Sequence, residues 1–133
     1  MSWSFDADAL IYAAAPQHQL GKPVWEVLRA HPHEVFGSTL LIPEVLIKPA
    51  RLDNEDEYDT LVAVLARLEL IALDDAVAAL AVELGAAHGL KPADAVHLAS
   101  AVWIGADVFV TNNRRDFKPD RIAEIEVRAP DRL

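Results

Sequence analysis

Four carboxylates stand in stretches that are otherwise apolar: Asp6 in SFDADALIY, Glu44 in LLIPEVLI, Asp94 in KPADAVHLASA and Asp116 in VTNNRRDF. A charge among core-forming residues is costly unless it is hydrogen-bonded, paired or bound to a metal, so four of them predict a shared site. Brought together, they would repel one another, and a divalent cation would relieve that repulsion. Donors that are all oxygen favour Mg²⁺ or Mn²⁺ over zinc. The chain has no cysteine, which removes thiolate zinc sites, disulfides and a cysteine nucleophile from consideration.

The elements around these residues must bring them to one place. Trp3 to Asp6 reads as a short buried strand ending at Asp6, followed by an ALIYAAA helix that stops before Pro16. A second helix is expected from about Pro23 to His31. EVFG reads as a strand, after which Ser38 or Thr39 caps a helix running through Lys48, with Pro43 in its first turn. Helical spacing of Tyr58, Leu61, Val62 and Leu65 predicts a helix within Asn54 to Leu68, with Glu55, Asp56 and Glu57 at its amino end, where the helix dipole favours them. LELIAL is a strand, and Asp74 or Asp75 caps a helix that Gly89 ends. The next helix has Pro92 and Asp94 in its first turn and is apolar nearly all round as far as Trp103, which predicts deep burial. VFV is a strand, Thr111 to Phe117 a turn or short helix, and IEV a last strand before a polar tail. Strands separated by helices imply a mainly parallel sheet covered on both faces, with ligands gathering beyond the strands' carboxyl ends.

A length of 133 residues suits a single domain, 1–133, with one core. The opening MSWSFDADAL carries two aspartates and does not resemble a secretory signal, and no apolar run is long enough for a membrane span. The expectation is a cytoplasmic protein that does not engage membranes. A net charge of −9, from 12 Lys and Arg against 21 Asp and Glu, argues against nonspecific affinity for phosphate backbones and suits a basic protein partner. It leaves open a nucleic-acid enzyme whose metal inverts the local field.

These blocks together resemble the PIN-domain family, and within it the VapC-type toxins of toxin–antitoxin pairs. FDADALIY is similar to the family's opening block, STLLIPEVL to the block carrying the glutamate, LKPADAVHLASA to the block of the third acid, and ADVFVTNNRRDF to the threonine-containing block. The resemblance implies a three-layer α/β/α fold with a mainly parallel central sheet, and a metal-dependent endoribonuclease acting on RNA. It also implies a small antitoxin partner and a homodimer. It makes Asp6, Glu44, Asp94 and Asp116 the catalytic acids. Asp6 and Asp94 would be direct ligands of Mg²⁺ or Mn²⁺, Glu44 and Asp116 would act directly or through water, and Thr111 and Asn113 would be supporting residues. Several relatives carry an acid near the position of Asn113. Arg114, Arg115 and Lys48, with Arg51 and Lys118, are the candidates to neutralise RNA phosphates.

Plainer roles compete for each residue. Asp6 could form a strand-end turn, Asp94 could serve only the helix dipole, Glu44 could face solvent, and Asp116 could cap or pair with Arg114 or Arg115. Asp8 is expected to cap or face solvent. His88 and His97 lie on different helices and are expected to pack or hydrogen-bond rather than bind zinc, and Trp25 and Trp103 are expected to anchor the core or an interface. Two other functions are possible. One is a non-catalytic PIN-like binding or regulatory protein. The other is a haloacid-dehalogenase-like phosphohydrolase using Asp6, for which the 22 residues after Thr111 offer Lys118 and Asp120 without convincing spacing.

Overall fold

In the computed structural model, which describes residues 1–15 and 17–133, five parallel strands form one sheet in the order β3-β2-β1-β4-β5. The strands are β1 (Trp3–Phe5), β2 (Val35–Ser38), β3 (Glu69–Ile71), β4 (Val108–Val110) and β5 (Glu126–Arg128). The helices are α1 (Ala7–Ala14), α2 (Gly21–Ala30), α3 (Leu41–Arg51), α4 (Glu55–Leu65), α5 (Asp75–His88) and α6 (Pro92–Ile104). This is the α/β/α arrangement expected from the alternation of elements. Pro16, expected just beyond the first helix, lies outside the described residues.

The two faces of the sheet bury separate clusters. Side chains alternate across a strand, so β4 sends Val108 and Val110 into the cluster formed with α1 to α4, and Phe109 into the one formed with α5 and α6. Phe5, Leu10, Leu28 and Leu41 fill the first cluster, and Leu98, Phe109 and Phe117 the second. Each such side chain contributes about 1.5–3 kcal/mol when taken from water.

Helix ends follow local chemistry. Asn54 caps α4, accepting from Glu57 N at 3.1 Å and donating back to the Glu57 carboxylate at 3.1 Å. Asp74, rather than Asp75, caps α5 by accepting from Val77 N at 2.9 Å. Gly89 ends α5 and Gly105 ends α6, both in the left-handed region, with φ of 65° and 72°. The expected cap of α3 is different. Its N-cap is Leu40, without a side-chain bond; Ser38 Oγ accepts from Leu40 N at 3.1 Å, and Thr39 Oγ1 accepts from Leu73 N at 3.2 Å. Those hydroxyls tie the turn together and join it to the segment after β3 instead of capping the helix. The expected burial of α6 also stops short of its end, where Trp103 is 55% exposed. The last strand is followed by a 3-10 turn, Pro130–Arg132, whose Pro130 is buried.

Candidate active site

The strand order places β1 and β4 side by side at the point where the chain, having added β2 and β3 on one side, crosses to the other. Their carboxyl ends open into the crevice where ligands of such sheets bind. Asp6 follows β1 directly, with its backbone N–H on Val110 O at 2.9 Å. Its carboxylate is buried and fixed at both oxygens: Oδ1 accepts from Ala7 N at 2.8 Å, capping α1, and Oδ2 accepts from Thr111 Oγ1 at 2.8 Å. Thus Asp6 does form the strand-to-helix turn, and the same bonds aim it across to β4.

Thr111, fully buried, also accepts from Asn113 N at 3.1 Å. Asn113 in turn binds Asp116 twice, accepting from Asp116 N at 3.2 Å and donating from Nδ2 to Asp116 Oδ2 at 3.0 Å. Phe117 anchors this turn, being buried and set edge-on to Phe109 with ring centroids 5.1 Å apart. A chain of polar contacts therefore runs from Asp6 through Thr111 and Asn113 to Asp116.

Asp94 lies in the first turn of α6, and His97 lies one turn further along. His97 is 1% exposed, with Nε2 hydrogen-bonded to Glu44 Oε1 and 3.9 Å from Asp6 Oδ1. Its other nitrogen, Nδ1, is buried and has no partner among the described residues. Glu44, in the first turn of α3, is thereby tied to α6, although its side chain keeps 32% of its surface exposed.

The charges of the other three acids reach Asp94. Burial raises Asp94 above the ordinary carboxylate value, and the charges of Asp6, Asp116 and Glu44 add to it while His97 opposes them. Asp8 is pushed up to about 6 by burial and by Asp6, against the lowering effect of its bond from Asn112 N at 3.2 Å. Burial pulls His97 down, but the bond to Glu44 and the charges of Asp6, Glu44 and Asp94 outweigh it and raise the imidazole overall. Among the described residues no three His, Asp or Glu side chains form a complete ligand set for a metal ion. The acids share a field rather than a finished cage.

Asp8 and His97 are residues of the site to which sequence reasoning gave only structural roles. Asp8 does not cap α1 and is only partly open to solvent: it faces Asn112 and lies close enough to Asp6 to feel its charge. His97 does hydrogen-bond, as expected, and its partner is one of the four acids. Its spacing of three from Asp94 on a helix was the available signal. Among the basic candidates, Arg114 is paired with Asp131 at 2.7 Å, and neither it nor Arg115 pairs with Asp116. Arg115, Lys48, Arg51 and Lys118 are exposed and form no ion pair among the described residues.

The PIN-domain family profile matches residues 5–124. The chain belongs to the PIN-domain family. No curated protein sequence matches it significantly. Among solved structures, it is similar to DNA-bound VapBC from Salmonella typhimurium, at 20% identity over 98% of each chain with a TM-score of 0.79. It is similar to a toxin–antitoxin complex from Klebsiella pneumoniae, at 25% identity over 97% of this chain and 98% of the other, with a TM-score of 0.76. It also resembles VapC20 of Mycobacterium tuberculosis, a toxin that cleaves the sarcin-ricin loop, at 14% identity over 93% and 98% of the two chains with a TM-score of 0.66.

Proposed function

We propose that this chain is a Mg²⁺- or Mn²⁺-dependent endoribonuclease and the toxin of a type II toxin–antitoxin pair, working as a single cytoplasmic domain of residues 1–133. The observation that carries this reading is the convergence of the acids at the β1/β4 crevice: Asp6 is linked through Thr111 and Asn113 to Asp116, His97 lies against both Asp6 and Glu44, and Asp94 stands one turn before His97. The donor chemistry suits a hard divalent cation, which would complete the unfinished cage: it is all oxygen, and burial followed by the charges of Asp6, Asp116 and Glu44 raises the proton affinity of Asp94.

Asp6 and Asp94 would hold the cation, with Glu44 and Asp116 acting directly or through water. When bound, the cation supplies an acidified water and stabilises charge developing on the phosphodiester. The chain's own residues do the rest. Thr111 and Ala7 N fix both oxygens of Asp6, and Asn113 fixes Asp116. His97 holds Glu44 at the rim, where its carboxylate can accept a proton from the attacking water.

Toxin–antitoxin relatives of the same fold support a small antitoxin partner, and the net charge of −9 suits a basic one. An apolar groove of about 380 Å³ between α1, α2 and α4, lined by Ala14, Trp25 and Val64, offers it a seat. A homodimer is the expected assembly. No described helix is long and apolar enough to cross a membrane.

The test is cleavage of a mixed RNA pool by partner-free protein with Mg²⁺ or Mn²⁺, run beside EDTA controls and the Asp6→Ala and Asp94→Asn variants. Asp94→Asn matters because Asp6→Ala also removes the α1 cap. Metal-dependent fragments absent from both variants are expected. Folded, metal-bound protein that cuts nothing would favour a binding role, and cleavage that survives both substitutions would refute the site.

A further inference from the structure

Beside the acidic crevice lies a second cavity of about 290 Å³, between the end of α5 and the β4–β5 connection, lined by Ala87, His88, Asp116, Lys118, Arg121 and Ile122. We propose that it is a phosphate-binding subsite, taking a phosphodiester of the RNA strand adjoining the one at the acids. This rests on the nuclease reading above and extends it to the path of the substrate.

Lys118 and Arg121 are exposed and form no ion pair among the described residues, whereas Arg29, Arg114 and Arg128 are each committed to a carboxylate. Lys118 and Arg121 come from a single turn, closed by Arg121 N on Lys118 O at 3.0 Å and Ile122 N on the same oxygen at 3.1 Å. Phe117 and Ile122, both buried, pin that turn to the core on either side of Lys118. His88 is held as a fixed wall, with Nε2 within 2.9 Å of both oxygens of Glu124.

Asp116 is common to this cavity and to the acidic field. A strand with one phosphodiester at the acids therefore meets the cavity as it leaves. Positive charge is needed there, because elsewhere an acidic crevice repels the strand. Asp116 also sets the limit of the subsite: a phosphate must lie on the Lys118 and Arg121 side, away from the carboxylate.

The test uses full-length protein freed of any partner, MgCl₂, and a labelled single-stranded RNA, taken from the mixed pool, that the wild-type protein cleaves. The double variant Lys118→Ala/Arg121→Ala is expected to raise KM about tenfold with kcat within about twofold. The slope of log(kcat/KM) against log[KCl] should become shallower by about 1.4, at about 0.7 per lost contact on a single strand. Lys118→Arg/Arg121→Lys, which keeps both charges, should restore KM and slope. An unchanged KM and slope, or a loss confined to kcat, would overturn the subsite. A wild-type protein that cleaves no RNA would overturn the nuclease reading and the subsite together, so the wild-type arm tells the two failures apart.

Discussion

Replacing Asp8 by Asn should make the metal-free protein more stable near neutral pH. The Asp8 carboxyl has an ordinary value of 3.8 and is raised to about 6 in the folded protein, first by burial and then by Asp6. The folded state thus binds this proton more tightly than the unfolded state. Its contribution is fully present below about pH 4, falls as pH rises, and is gone above about pH 6. Taken in full, the shift corresponds to about 3 kcal/mol. Asp8 is still partly open to solvent, so screening reduces this to about 1–2 kcal/mol. Asn keeps an oxygen to accept from Asn112 N and carries no charge, so it removes the penalty and retains the bond. In EDTA at pH 7.5, Asp8→Asn should unfold about 4–7 °C above wild type, and the gap should close as the pH is lowered from 6 to 4. Thermal unfolding across that range measures it. A variant no more stable than wild type at pH 7.5, or one with the same advantage at every pH, would refute the account of Asp8 as a carboxylate penalised by burial and by Asp6.

Thr111→Val removes the donor to Asp6 Oδ2 and the acceptor for Asn113 N; it should cost about 1–3 kcal/mol in urea unfolding and weaken Mn²⁺ binding by calorimetry about 10–100-fold. His97→Ala should lower RNA cleavage about 10–100-fold, and adding Glu44→Gln should cost little more, because the two act as one unit; fully additive losses in the double-mutant cycle would contradict this. A Cβ at Gly21 would stand 2.0 Å from Tyr12 O, where backbone cannot yield, so Gly21→Ala should destabilise by about 1–3 kcal/mol or more in thermal unfolding. At Gly37 the nearest atom is the Leu41 Cδ1 methyl, at 2.4 Å, so Gly37→Ala should be the milder of the two in the same assay.

The fold was legible because its signals are local. Alternating strands and helices, the Asn54 and Asp74 caps, the Gly89 stop and the Pro92 start each depend on a few neighbouring residues. The positions of Asp6 and Asp94 were legible for the same reason, at a strand's end and in a helix's first turn. Side-chain partnerships across the sheet were not. Nothing near Asp8 announces Asn112, which is 104 residues away, and nothing near His97 announces Glu44, 53 residues away. Ser38 and Thr39 looked like caps because the competing partner of Thr39 lies beyond β3, at Leu73. Trp103 looked buried because hydrophobicity gives a helix's composition but not how far its end projects past the core.

The hydrogen bond from Thr111 to Asp6 joins residues 105 positions apart. During synthesis, β1 emerges early but must wait for β4 before the crevice has a second wall, and Asp116 follows later still. Long-range pairings of this kind form late, once loop closure has been met. A growing chain therefore carries Asp6, Glu44 and Asp94 without an assembled site until most of the polypeptide has been made. If the chain is the toxin ribonuclease proposed above, that order of assembly would keep the nascent chain harmless to the ribosome and message producing it, and would give an antitoxin time to be present when the crevice closes.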